Sequence, residues 1–338
     1  MRFKNVAIEA FAYALPETSV RTSDIEDALA PLYARLALAP GWIEGLTGVV
    51  ERRFWPETVR PWQKAAEAGG AALEASGLDP GELDLLVSTA VCRDVLEPSV
   101  ASSVHSALQL GPRTRNYDLA NACLGFVSGL STAGALIEAG LIRSALVVAG
   151  EGSREVVEST IQRMLGPGVD KGRYYANLAT FTLGSAAVAA VIVDARLSQT
   201  SHRLLGEVAL ADTGANHLCR GDLSGMETDG RKLLEAGVAL GTATWAEAKQ
   251  HFGWGESPLA TYATHQVGKT HFKTITAALG IPIDRAPETY ATLGNTGAAG
   301  VPLALIKAIE TGMLSEGDEL ALLGIGSGLN CAIQGVRW

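Results

Sequence analysis

Tyr117-Asp118-Leu119-Ala120-Asn121-Ala122-Cys123-Leu124-Gly125-Phe126 is the stretch on which the reading of the chain turns. A short apolar strand runs into a turn of small residues, and Leu124 to Gly140 then reads as a helix. Cys123 stands at the junction. A thiol at a helix N-terminus meets unpaired N–H groups and the positive end of the dipole, which favour its anionic form. The thiolate is the nucleophilic form, so this position suits covalent catalysis. A buried structural cysteine is the alternative, since free Cys is among the most buried residue types.

The rest of the composition narrows the class. The chain has 338 residues, 47% of them hydrophobic, with 38 Gly. That is enough for one large core or two of ordinary size. A net charge of −9 with scattered Lys and Arg argues against a nucleic-acid surface. Cys92, Cys123, Cys219 and Cys331 lie far apart with no CxxC pair. This spacing speaks against a zinc site or disulfide framework and predicts a reducing, cytoplasmic setting with no metal. Met1 to Leu15 alternates apolar and polar residues like a strand, without the apolar run of a signal peptide. No apolar run approaches about 18 residues, so no membrane span is expected.

Strands and helices alternate along the chain. Asn5 to Leu15, Leu83 to Val91, Ser144 to Gly150, Ala186 to Ala195, Leu259 to Thr264 and Glu319 to Gly326 read as strands, the last taken as the final long one. Helical spacing covers Thr22 to Leu36 (with Thr22 or Ser23 as cap), Trp62 to Ser76, Ser99 to Leu110, Ser153 to Met164, Thr228 to Phe252 and Thr270 to Leu279. Gly166 to Asn177 looks irregular. The two halves also look alike. Asn121-Ala122-Cys123-Leu124-Gly125 opens a helix, and a strand then leads to Gly150-Glu151-Gly152-Ser153. Asn295-Thr296-Gly297-Ala298 opens another, and a strand leads to Gly324-Ile325-Gly326-Ser327. This predicts a duplicated α/β unit with parallel strands, residues 1–195 forming one half and 196–338 the other.

Open α/β sheets bind ligands at strand C-termini. Cys123, His265 and Asn295 fall at such ends. A lone His is more often structural, and Asn in a Gly-Asn-Thr-Gly cluster is usually a turn former. Together, however, the three suit thioester chemistry. The thiolate takes an acyl group, while His265 and Asn295 offer donors to a second carbonyl oxygen and stabilise an enolate. The backbone N–H groups of Cys123 and Ser327 would form an oxyanion hole. Gly324-Ile325-Gly326-Ser327-Gly328 is not a dinucleotide site, because too little chain follows it to complete a βαβ unit.

These motifs, in this order and spread over the whole chain, resemble the thiolase superfamily, in its ketoacyl synthase III-like branch. The matching pieces are Asn121 to Gly125, His265-Gln266, Gly294 to Ala298 and Gly324 to Gly328. The resemblance implies a five-layered αβαβα fold, a homodimer, and Cys123, His265 and Asn295 as catalytic residues. Closer still, Ser88 to Ser99, Leu218 to Leu223 and Leu322 to Cys331 resemble OleA-type enzymes of olefin biosynthesis. These join two fatty acyl-CoA molecules by a non-decarboxylative Claisen condensation to a 2-alkyl-3-ketoacid. Such a reaction needs a base for the α-proton. The resemblance puts Glu97 in that role, supplied by the neighbouring subunit. Arg52 and Arg53 match a segment near the CoA phosphates, and Arg220 is a candidate brace for the site. No cofactor beyond the acyl-CoA substrates is implied, and downstream olefin-pathway enzymes are the expected partners. The competing expectation is a decarboxylating 3-oxoacyl-ACP synthase III using malonyl-ACP, which needs no such base. A thiolase-fold scaffold without catalysis is the alternative from another class.

Overall fold

The computed structural model describes residues 1–93, 95–222 and 224–338. Asp94 and Leu223, which fall within two of the family-like segments, lie outside the described residues.

The chain opens with β1 (Val6–Ala14). A two-stranded ribbon, β2 (Ser19–Arg21) and β3 (Glu51–Arg53), encloses α1 (Thr22–Ala28), α2 (Ala30–Leu36) and α3 (Trp42–Thr47). There follow α4 (Pro61–Ser76), β4 (Leu85–Ser88), α5 (Val100–Ala107), β5 (Arg115–Asp118), α6 (Gly125–Glu138) and β6 (Ser144–Glu151). Then come α7 (Arg154–Leu165), α8 (Lys171–Asn177) and β7 (Ala186–Asp194). The remainder holds β8 (Arg203–Ala211), the hairpin β9 (Cys219–Asp222) with β10 (Gly225–Thr228), α9 (Gly230–Phe252) and β11 (Thr261–Thr264). It ends with α10 (Lys269–Leu279), α11 (Tyr290–Leu293), α12 (Gly300–Glu310), β12 (Glu319–Gly326) and β13 (Asn330–Arg337).

The nine long strands run β11-β12-β13-β8-β1-β7-β6-β4-β5. This is two sheets joined at a seam, where β1 and β8 meet only at Ala7 and Arg203. In each, an antiparallel pair leads into parallel strands: β7 against β6 then β4, and β13 against β12 then β11. Side chains alternate between the two faces of a strand, and β6 shows the consequence. Its Ala145, Val147 and Ala149 join the cluster between the sheets, while Leu146 and Val148 join the cluster under α4 and α5. Helices α6 and α12 fill the space between the sheets. Helices α9 and α10 cover the far face of the second sheet. The result is the expected αβαβα stack. Each fully buried Val or Leu contributes roughly 1.5–3 kcal/mol, so Val147→Asp in the middle layer would unfold it.

Several local expectations are corrected. Thr22 to Leu36 is two helices broken at Leu29, and the first is closed by a box in which Asp24 accepts from the Arg21 N–H rather than by a Thr22 or Ser23 cap. Gly166 to Asn177 is not irregular throughout, since Asp170 caps α8. The last strand is β13, not Glu319 to Gly326. A polar start and Gly335 mask β13 in the sequence, and pairing on both sides builds it.

Candidate active site

Cys123 lies in a single 3-10 turn, Ala122 to Leu124, between β5 and α6. Ala122 sits at φ +45°, a left-handed conformation that disfavours a Cβ-bearing residue by about 1–2 kcal/mol. Asn121 ties this elbow down on two sides: its Nδ2 donates to Ser128 Oγ at 2.9 Å, and its Oδ1 accepts from Asn330 Nδ2 at 3.1 Å. Gly125 follows because nothing larger fits. A Cβ there would lie 2.3 Å from the Thr89 carbonyl oxygen.

The sequence predicted a thiol biased toward its anion, and the structure corrects that. Burial pushes the Cys123 thiol up to about 12, with Glu151 and Cys219 adding in the same direction and a backbone N–H opposing them. Desolvation of the charged form outweighs one turn of helix dipole. Cys123 is therefore held as a neutral thiol.

His265 directly follows β11, and its N–H donates to the Leu323 carbonyl at 2.9 Å. Burial, with neighbouring His271 adding, pulls the His265 imidazole down to about 3, so it is neutral. The two rings meet edge to face at 6.1 Å, on a cavity of about 30 Å³ shared with Gly237, Gly241 and Leu323. A neutral imidazole carries one N–H donor, which suits it to hold an enolate oxygen. Asn295 is buried, and its Oδ1 accepts from the Gly297 N–H at 3.1 Å, which leaves its amide N–H groups to donate elsewhere. Gln266 fixes the approach to Asn295: its Oε1 accepts from the Thr289 N–H at 2.8 Å and the Tyr290 N–H at 3.2 Å.

The two central helices bring these groups together, because the turns that open α6 and α12 pack against each other. At the end of β12, Gly326 lies against the elbow, where a Cβ would come within 2.9 Å of the Asn121 carbonyl oxygen and 3.2 Å of the Leu124 nitrogen. Ser327, the other residue expected in the oxyanion hole, follows Gly326 directly. The hairpin of β9 and β10 brings in Cys219.

Glu97 is exposed on the loop after β4 and is not among the groups that act on the Cys123 thiol of its own chain. Leu96 beside it is 95% exposed, and Val91, Val95 and Tyr117 are exposed large apolar residues nearby in sequence or on the adjoining strand. Arg220 is exposed on β9. Arg52 corrects the expectation of a phosphate contact. It is fully buried, and its guanidinium donates to Thr22 Oγ1 at 2.9 Å and to the Phe181 carbonyl at 2.6 Å. Its charge is spent on pinning the ribbon to the body. Arg53 is half-buried and donates to the Pro16 carbonyl.

Sequence reasoning missed Glu151, His271 and Gln266 as members of the site. Glu151 had a visible signal, a single acid closing an otherwise uncharged strand. No helix of the described residues is long and apolar enough to cross a membrane, and among them no group of His, Cys, Asp and Glu could hold a metal.

Known proteins resemble this chain in sequence and fold. Residues 117–213 match the family model of 3-oxoacyl-[acyl-carrier-protein] synthase III, and residues 250–338 match that of its C-terminal part. The acyl-CoA:acyl-CoA alkyltransferase of Xanthomonas campestris pv. campestris is 37% identical over 338 residues, covering 100% of both chains. Its namesake from Shewanella oneidensis is 36% identical over 350 residues, again covering 100% of both. A solved structure of a cysteine-to-serine variant of Xanthomonas campestris OleA, with bound lauric acid and lauroyl-CoA, superposes with a TM-score of 0.96 at 37% identity, over 99% of this chain and 100% of that one. A structure from Xanthomonas oryzae described as 3-oxoacyl-(acyl carrier protein) synthase III superposes with a TM-score of 0.97 at 38% identity, over 100% of both.

Proposed function

This chain belongs to the acyl-CoA:acyl-CoA alkyltransferase family, and from that premise we propose that it joins two fatty acyl-CoA molecules head to head without decarboxylation. In the first step Cys123 attacks one acyl-CoA. A bond forms from its sulfur to the acyl carbon, the bond to the CoA sulfur breaks, and the thiol proton leaves with CoA. The N–H groups of Cys123 and Ser327 hold the transient oxyanion.

In the second step Glu97 of a second copy takes an α-proton from the second acyl-CoA. His265 and Asn295 donate to its thioester oxygen as the enolate forms. The α-carbon attacks the acyl-Cys123 carbonyl, the carbon–sulfur bond breaks, and Cys123 leaves as thiolate. Hydrolysis of the remaining CoA thioester gives a 2-alkyl-3-ketoacid. The neutral state of His265 supports its role as a donor, because an imidazolium would need a charge that this buried position disfavours.

The observation that carries the reading is the setting of Glu97. A decarboxylating synthase needs no base, whereas this loop presents a carboxylate among exposed apolar side chains. Beside it β5 ends the sheet with an unpaired edge, and such an edge is a template for pairing with another chain. A homodimer formed there would cover Leu96 and Tyr117 and carry Glu97 toward the other copy's Cys123. Arg53 remains a candidate contact for CoA. The setting is cytoplasmic, no further cofactor takes part, and the ketoacid passes to olefin-pathway enzymes.

Incubation of the purified protein with lauroyl-CoA alone tests this reading. Release of CoA with a carbon–carbon condensed product is expected, and Glu97→Gln should keep acylation of Cys123 while condensation falls about 10²–10⁴-fold. Condensation only when malonyl-ACP is supplied would establish the decarboxylating alternative instead.

A further inference from the structure

Glu151 closes β6 and is 5% exposed. Its Oε1 accepts from the Val91 N–H at 2.9 Å and from the Ala298 N–H at 3.0 Å, and its Oε2 accepts from the Cys92 N–H at 3.1 Å. All three partners are donors and favour the ionised form, which only accepts, while burial pushes the Glu151 carboxyl up and outweighs them. Two of the donors open the loop that carries Glu97. The third lies three residues beyond Asn295. The neighbouring Gly152 carbonyl accepts from the Cys92 thiol, a further tie to the same loop. One buried side chain thus joins the segment that presents the base to the turn that presents the enolate donor.

The duplication explains where this carboxylate sits. Each central helix starts after a 3-10 turn, Ala122–Leu124 before α6 and Gly297–Ala299 before α12. In this correspondence Ala298 is the counterpart of Cys123. The strand end facing the Cys123 turn is Gly326, which has no side chain to reach the N–H of Cys123. The strand end facing the Ala298 turn is Glu151, whose carboxylate occupies the equivalent N–H. A Cβ on Gly297 would lie 3.0 Å from the Glu151 carboxylate carbon. The second elbow is filled by a fixed carboxyl group of the protein where the first awaits a transient oxyanion.

We propose that Glu151 is a positioning residue for the carbon–carbon bond-forming step, clamping the Asn295 turn and the Glu97 loop in one geometry. The proposal rests on the condensing function above. It assigns Glu151 no contact with the acyl group on Cys123, so the two half-reactions separate. In Glu151→Gln the amide NH₂ must face an N–H donor, and the clamp opens. Acylation of Cys123 by lauroyl-CoA, followed by the mass of the adduct, should hold, since Glu151 makes no contact with the acyl group. Condensation should fall at least about tenfold, in kcat more than in KM, and Glu151→Asp should restore part of it.

Amide hydrogen exchange gives a readout independent of substrate. Exchange at residues 91–92 and 297–299 should quicken in Glu151→Gln, with helix α4 unchanged as a reference. Equal loss of both half-reactions, no loss of condensation, or unchanged exchange at these amides would overturn the proposal. Wild-type protein that gives no condensed product would overturn the condensing function itself, and the exchange measurement still judges the clamp. If Glu151→Gln does not fold, Gly297→Ala presses on the same carboxylate from the turn side and should show the same split.

Discussion

The two elbows of this molecule share a backbone plan and differ in what fills them. In the first, β5 leads to Ala122 at φ +45° and then to Cys123, with a glycine, Gly326, at the facing strand end. In the second, the strand is replaced by α11, a Gly occupies the matching left-handed position at φ +57°, and the N–H is taken by Glu151. The strand ends upstream differ in the same way. Thr89 follows β4, and its N–H donates to the Val148 carbonyl at 2.8 Å. His265 follows β11, and its N–H donates to the Leu323 carbonyl at 2.9 Å. A duplicated fold has thus divided its labour. One half keeps the nucleophile and a free sheet edge. The other gives up an edge strand, plants Asn295, and turns the Thr89 position into an imidazole.

The most severe way to probe this asymmetry is to move the nucleophile. Cys123→Ala should lower condensation by about four orders of magnitude or more. Adding Ala298→Cys should restore nothing, because Glu151 already holds that N–H. Product formation by the double variant would show the elbows to be interchangeable.

The state of the thiol is the next test. With its titration pushed up to about 12, Cys123 is protonated at neutral pH, and its reactive fraction grows as pH rises. Alkylation by iodoacetamide should therefore climb about tenfold per pH unit from pH ~7 to ~10 without a plateau. A plateau below pH ~8 would return the thiol to the dipole-activated state that its place at a helix start suggests.

Stability separates the two glycines that open the central helices. Gly125→Ala drives a methyl to within 2.3 Å of a backbone carbonyl, whereas at Gly300 the nearest atom is His265 Nδ1 at 3.3 Å. Denaturant melts should show about 3 kcal/mol lost for Gly125→Ala and about 1 kcal/mol or less for Gly300→Ala. The second variant should lose more activity than stability, since its methyl presses on the ring proposed to hold the enolate. The smallest effect belongs to Ala122→Gly. Relief of left-handed strain and the added freedom of the unfolded chain nearly cancel, so stability should change by less than about 1 kcal/mol. A loss of several kcal/mol would mean that the Ala122 methyl packs, and that the elbow differs from its glycine-bearing twin for another reason.

The sequence by itself was enough for the architecture and for singling out three polar residues at strand ends. Period-two and helical patterning, the repeated turn before each central helix, and polar residues at apolar strand ends are local signals, and Cys123, His265 and Asn295 all carry them. Only the tertiary structure decided the charge states and the partners of those groups. The thiol is neutral because protein packed around it outweighs one turn of helix, and Arg52 is structural because distant Phe181 and Thr22 claim its donors. Glu151 becomes a hub because Val91, Cys92 and Ala298 converge on it from far along the chain. Desolvation and long-range hydrogen bonding depend on what the fold brings together, and neither leaves a mark on the neighbouring letters.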